Sequence, residues 1–335
     1  MSWVKPKLFF FTLFLFVSCR THHVGINPLL AAYKCPETCI PPACFCPQSA
    51  PPGRLNPKET PQFLLLSFDD AVTSESFKRV QPFLNRKNPN GCPVKATFFV
   101  TNDDTDYLLI RQLHAAGHEI AVHTITHNTD LQTSYRRWLK ELAGSKKALA
   151  NLSKIPNSEI SGFRAPYLKY NPEMFKALAE LKFTYDSSVS EVPGVFSSSE
   201  SSMIWPYTLD FGVAQRCFTG ECPAKPLRGI FEIPMHALES ERQEPVAMDP
   251  EGTSAEILEL YRNNFLKHFE GNRAPFGIYL HARWLEKPGH AQALSEFLKQ
   301  AQTLPDVQMI TFSDLIKYMR RPVPSSEFKN NTKCS

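Results

Sequence analysis

The sequence lacks an apolar run long enough to cross a bilayer: Leu8 to Val17 is ten residues, where about 20 are needed. With Lys5 and Lys7 before it and the small residues Ser18 and Cys19 at its end, that run reads as a secretory signal peptide over residues 1–19. A strong charge of either sign is also missing. The formal net charge is +4, and loss of the first twenty residues removes Lys5, Lys7 and Arg20 but no acid. The remaining balance of about +1 gives no electrostatic case for nucleic acid or other polyanions. No G-x-G-x-x-G appears, which argues against a doubly wound dinucleotide-binding sheet. Nor is there an H-E-x-x-H zinc motif, since "HEIAVH" (118–123) brings its second histidine one residue too late. Internal repeats and low-complexity tracts are absent as well.

Cysteine, in contrast, is plentiful. Of nine, eight follow the leader: Cys35, Cys39, Cys44, Cys46, Cys92, Cys217, Cys222 and Cys334. An even number in an exported chain reads as disulfides. Cys217 and Cys222 bracket a short loop and are expected to pair. The Cys35–Cys46 cluster has spacing that zinc could use, but an oxidising compartment favours a small disulfide knot. Asn151-Leu-Ser and Asn330-Asn-Thr are acceptor sites for glycosylation. The chain divides into a leader (1–19), a Cys- and Pro-rich arm (20–62), one large domain (63–321) and a tail (322–335) expected to be poorly ordered. A secreted, extracellular monomer without a membrane or nucleic-acid partner is the expectation.

From residue 63 onwards strand and helix signals alternate. Continuous apolar runs at 63–68, 94–100, 118–123, 160–166, 183–189, 229–235, 275–281 and 307–312 read as strands. Helical patterns fill 74–84, 106–116, 133–151, 254–269, 290–302 and 312–320, and another helix opens at Asn171-Pro172, where proline suits a first turn. Strands apolar on both faces between helices indicate a parallel sheet covered by helices. About seven or eight of them in one domain predict an α/β fold, a distorted (β/α) barrel.

Polar residues recur at the C-terminal ends of these strands: Asp69 and Asp70, His123, Arg164, Asp186 and His281. Barrel enzymes assemble their sites on that edge. Asp70, His123 and His127 offer one carboxylate and two imidazoles, a set suited to Zn²⁺ or another divalent ion such as Co²⁺. One difficulty is spacing. In a continuous strand, residues four apart lie roughly 13 Å from each other. The strand must therefore end near His123, with Thr124 to His127 curling back. His114 and His118 are expected to be structural or solvated, and Glu119 an ordinary strand or turn residue.

The segments "SFDDAV" (67–72), "HTITH" (123–127), "RAPY" (164–167) and "YLHARW" (279–284) resemble, in order and spacing, four of the five signatures of the polysaccharide deacetylases. This is the NodB-homology group, carbohydrate esterase family four. The wording of "GHEIAVHTITH", "YDSS" and "WPYTLD" is most similar to arthropod-type chitin deacetylases. The resemblance implies hydrolysis of N-acetyl groups in chitin or chitooligosaccharides. It makes Asp69 the general base, held by Arg164, and Asp70, His123 and His127 the metal ligands. His281 becomes the acid that protonates the departing amine, and a backbone N–H near Tyr167 faces the oxyanion. For the fourth signature, Asp186 and Trp205 are the candidates, with Asp210 as alternative. Tyr167, Trp205 and Trp284 are candidate sugar contacts. An O-acetyl glycan esterase or a non-catalytic chitin-binding protein could share the scaffold, but no base or ligand is missing here.

Overall fold

The fold is described from a computed structural model, which describes residues 36–128, 134–192, 203–223, 225–240, 245–331 and Cys334. The leader and Cys35 lie outside the described residues. The strands are β1 (Gln62–Asp69), β2 (Thr97–Val100), β3 (Glu119–Val122), β4 (Gly162–Phe163), β5 (Tyr185–Asp186), β6 (Ser190–Glu191) and β7 (Tyr207–Thr208). They are followed by β8 (Phe231–Glu232), β9 (Met235–His236), β10 (Leu238–Glu239), β11 (Pro245–Val246), β12 (Phe276–His281) and β13 (Val307–Met309). The main sheet runs β12-β1-β2-β3-β4-β5-β8-β7, with β13 pairing β1 beside β2. Every pairing in it is parallel except β7 with β8. Among the described residues no ladder joins β7 to β12, so the expected barrel is a half-barrel. The pairs β6–β9 and β10–β11 form two small separate sheets.

Side-chain alternation along the strands divides the core. Leu64, Leu66 and Phe68 of β1 face the helices, with Ile120 and Val122 of β3 and Ile278 and Leu280 of β12. Phe63 and Leu65 face the barrel interior with Phe99, Ala121, Tyr185, Phe231 and Tyr279. The same parity turns Ser67, Asp69, Arg164 and His281 inward, so residues at the strand ends converge on one mouth.

Helices start where short polar side chains can cap them. Thr73, Asp106, Asn171, Thr253 and Thr311 each accept a bond from a first-turn N–H. Helices Ser74–Leu84 and Phe312–Arg320 match the sequence expectation end to end. Apart from β1, the strands are shorter than their apolar runs, because flanking residues such as Ile160 and Phe183 are buried without joining a ladder.

Disulfides link Cys39 to Cys44 and Cys217 to Cys222, and Cys92 to Cys334 across 242 residues of sequence. Cys46 is disulfide-bonded too. The arm lies along β7, where Phe45 N–H donates to Thr208 Oγ1 at 3.0 Å and Thr208 N–H donates to Phe45 O at 2.9 Å. The tail corrects the expectation of disorder. It forms helix Ser325–Asn331, and Phe328 packs edge-on against Phe63 and Tyr318.

Buried polar groups ahead of β3 give the fold a pH dependence. His118 accepts from Ala96 N–H at 3.2 Å, and burial, aided by Lys95, pushes its pKa down to about 4 from 6.5. The folded chain therefore holds fewer protons than the unfolded one between those values. The stabilisation is complete above the unfolded value and is lost as pH falls toward 4, on the order of 3 kcal/mol for this group. Urea denaturation followed from neutral pH down to pH 4 should show the loss, and His118→Gln should flatten it. An identical slope in the variant would remove His118 as its source.

Candidate active site

Register places the site before any side chain is considered. Asp69 pairs with His281 across β1 and β12, and Val122 pairs with Phe163 across β3 and β4. His123 and Arg164, one residue beyond that pair, leave the sheet on the same edge.

Arg164 is fully buried and organises the floor. Its Nη1 donates to Asp69 Oδ1 at 2.7 Å and Ser67 Oγ at 2.9 Å, and its Nε donates to Ser187 O at 2.9 Å. The guanidinium carbon lies 4.0 Å from the Phe99 ring centroid and 4.9 Å from that of Tyr279. Asp69 is buried as well, and burial raises its pKa above the ordinary carboxylate value against the pull of Arg164 and His281. That is the direction a general base working near neutrality requires.

The chain then bends sharply at Asp70, just after His123 and at His127. Asp70 has φ +82°, Thr124 +71° and His127 +51°. At Thr124, a β-branched residue, this is a costly conformation. Glu141, from helix Tyr135–Ser153, holds the turn by accepting from Ile125 N–H at 2.8 Å and Thr126 N–H at 3.0 Å. The turn brings the His123 and His127 ring centroids to 5.0 Å, so strand spacing does not separate them.

Asp70 Oδ1 lies 3.2 Å from His127 Nε2 and 3.8 Å from His123 Nε2. One ligand atom from each residue falls within 4.8 Å of the other two. Asp70 Oδ1 is buried yet has no hydrogen-bond partner. Its approach to His127 is short in distance but lacks hydrogen-bond alignment, as expected of lone pairs converging on a cation. His123 Nδ1 donates to Arg164 O at 2.8 Å, leaving Nε2 as the free lone pair. Burial lowers the pKa of both imidazoles and keeps them neutral. A buried carboxylate oxygen without a donor and two neutral imidazoles fit a divalent cation.

His281 Nε2 stands 3.7 Å from Asp70 Oδ2. Its other face is held by a residue that the sequence did not reveal. Asp249 Oδ1 accepts from His281 N–H at 2.9 Å, and Asp249 Oδ2 pairs with Nδ1. Burial opposes charging His281, but the bond to Asp249 and the carboxylates of Asp69 and Asp249 raise its pKa overall. Asp249 lies in "AMDPEG" (247–252), outside any strong strand or helix pattern, so no periodicity marked it.

Tyr167, at φ +56°, is 57% exposed, and its ring centroid lies 4.5 Å from that of His127. Half-exposed, it stands beside the candidate ligand His127. Three other candidates are corrected. Trp205 is wholly buried with its indole N–H on Asn272 O at 3.2 Å, so it offers no face to a sugar. Trp284 is buried, packs at a tilt against His290 and donates to Pro250 O at 2.8 Å, which steadies the loop carrying Asp249. Asp186 falls on the wrong parity of β5. Tyr185 and Ser187 face the interior, whereas Asp186 accepts from Ser188 Oγ at 2.7 Å and pairs with the equally buried Glu232. Burial raises both carboxyl pKa values. Asp210 accepts from Gly229 N–H in a turn.

The chain is 30% identical over 307 residues to chitin deacetylase 8 of Bombyx mori, an alignment that covers 88% of this chain and 79% of that protein. It belongs to the polysaccharide deacetylases. The polysaccharide deacetylase family model matches residues 56–185, which hold β1 to β4, the first residue of β5 and the three candidate ligands. Chitin deacetylase 1 of Bombyx mori is 32% identical over 89% of this chain, and the chain spans 59% of that relative's length. A Mycobacterium smegmatis structure assigned provisionally to the polysaccharide deacetylases shares the fold. Its TM-score is 0.58 at 22% identity, covering 82% of this chain and 95% of the other. The remaining site groups of this family member, Asp249 and His281, lie beyond the matched segment.

Proposed function

We propose that this protein is a secreted, metal-dependent deacetylase that hydrolyses N-acetyl groups of chitin or chitooligosaccharides to acetate and glucosamine units. The observation that carries the reading is the convergence of Asp70, His123 and His127 beside a buried carboxylate and an imidazole. The names of the Bombyx mori relatives support chitin as the polymer. Secretion is supported by three disulfides, while no described helix is long and apolar enough to cross a membrane.

Asp70, His123 and His127 would hold Zn²⁺ or a similar ion, which acidifies water and polarises an acetyl carbonyl. Asp69 takes the proton of the attacking water, with Arg164 fixing the carboxylate so that one oxygen stays available. A backbone N–H near Tyr167 faces the developing oxyanion, a preorganised donor of the kind that contributes most to such steps. His281, oriented by Asp249, delivers a proton to the amine nitrogen as the C–N bond breaks.

Metal analysis together with acetate release from defined oligomers tests the reading. A divalent ion near one per chain, acetate release lost to a chelator and restored by Zn²⁺ or Co²⁺ is the expected result. His127→Ala should bind the ion 10-fold or more weakly, by about the margin a disturbed ligand shell gives. A folded, zinc-loaded sample that releases no acetate from any acetylated glycan would end the proposal.

A further inference from the structure

The turn from His123 to His127 is gripped from two sides. The loop after β2 takes its carbonyls: Asn102 N–H donates to Thr124 O at 3.3 Å, and Asp103 N–H to Ile125 O at 3.0 Å. Glu141 takes its donors. Glu141 Oε2 accepts from both Ile125 N–H and Thr126 N–H, at 2.8 and 3.0 Å, and Oε1 accepts from Thr126 Oγ1 at 3.2 Å. The Glu141 side chain bonds nothing else among the described residues. It is half-buried, on a helix seated by the buried side chains Trp138, Leu142 and Leu149. Three residues on, Gly144 lets that helix approach so closely that a Cβ there would stand 2.6 Å from Ile125 Cδ1.

Thr124 at φ +71° and His127 at φ +51° would relax toward commoner conformations if nothing restrained them. A ligand pair that has to be ordered as the ion arrives holds it more weakly than one already in place. We infer that Glu141 is a positioning residue for the ion. By fixing Ile125 and Thr126 it aims His127 at Asp70, and so sets how tightly a divalent cation is held. It does this from outside the three converging groups, Asp70, His123 and His127. The inference rests on the ion site of the proposed deacetylase and adds what keeps that site assembled before an ion binds. A different reading of the same carboxylate is a distant counter-charge, which would attract a cation without fixing the turn. Reach and charge separate the two.

The test is the Zn²⁺ Kd, measured by competition with a chromophoric chelator, for the native protein and for Glu141→Ala, Glu141→Gln and Glu141→Asp. Urea unfolding of each metal-free protein shows which variants are folded. Glu141→Ala should bind Zn²⁺ about tenfold or more weakly. Gln keeps an oxygen for both N–H groups and loses only the charge, so Glu141→Gln should stay within about threefold of native. Asp keeps the charge but is one methylene short, so Glu141→Asp should resemble Glu141→Ala. A native Kd in folded Glu141→Ala overturns the inference. So does a Glu141→Asp protein that binds as tightly as Glu141→Gln, or more tightly. If Glu141→Ala does not fold, that order of Gln and Asp decides alone. A native protein that binds neither Zn²⁺ nor Co²⁺ overturns the ion site and this inference together. One that binds zinc but releases no acetate ends only the deacetylase reading, and the Kd order still decides the role of Glu141.

Discussion

Asp69→Asn is expected to lower acetate release by about 10³-fold, within the range that removal of a general base produces. Asn can still accept from Arg164 Nη1, the bond that measures 2.7 Å in the native protein. What disappears is the ability to take a proton. Arg164 also loses its counter-charge while remaining fully buried. A stability loss of about 3–5 kcal/mol is therefore expected alongside the kinetic one. The two effects separate by experiment, because the ion ligands are not altered. A variant that stays folded, holds its metal and has lost turnover places the defect in proton transfer. Turnover above a tenth of native would rule out Asp69 as the base.

Asp249→Ala is the second large effect. Asp249 accepts from both the main chain and Nδ1 of His281, so it fixes the ring and presents Nε2 toward the ion site. Without it the ring gains rotamers and loses the partner that favours its protonated form. The expected loss is about 10²–10³ in kcat with KM changed little, since the acid acts only as the C–N bond breaks. Asp249→Asn keeps an acceptor without the charge and should fall between native and Ala. If KM rises and kcat holds, Asp249 serves substrate binding and not His281.

Much of the site was legible because parallel strands in register put their last residues on one edge. Asp69, Arg164 and His281 announced themselves as polar residues ending apolar runs. The return of His127 to His123 was legible too, as the one way to reconcile strand-like sequence with a shared ligand. What failed was parity and context. Asp186 ends a strand like the others, but a two-residue strand gives no alternation from which to tell its face from that of Ser187. Trp205 and Trp284 carry the chemistry of sugar contacts, and their burial depends on distant segments such as Asn272 and His290. Asp249 lies in a loop, where no period exists to mark it. Helix boundaries were the most legible of all, since capping is a local bond between residues two or three apart.

The left-handed residues around the mouth have a bearing on laboratory evolution. Asp70, Thr124, His127, Tyr167, Leu168 and Asp249 all have positive φ, between +48° and +82°, and each non-glycine residue held so costs of order 1–3 kcal/mol. Selection for heat tolerance would find easy gains here, by relaxing bends with glycine or asparagine. At Thr124 or Leu168 a gain would loosen the aim of a neighbouring ligand or of the rim tyrosine, and at Asp70, His127, Tyr167 or Asp249 it would remove the working side chain itself. Thermal hardening and turnover therefore draw on the same few backbone positions, and variants bred for one should be expected to drift from the other.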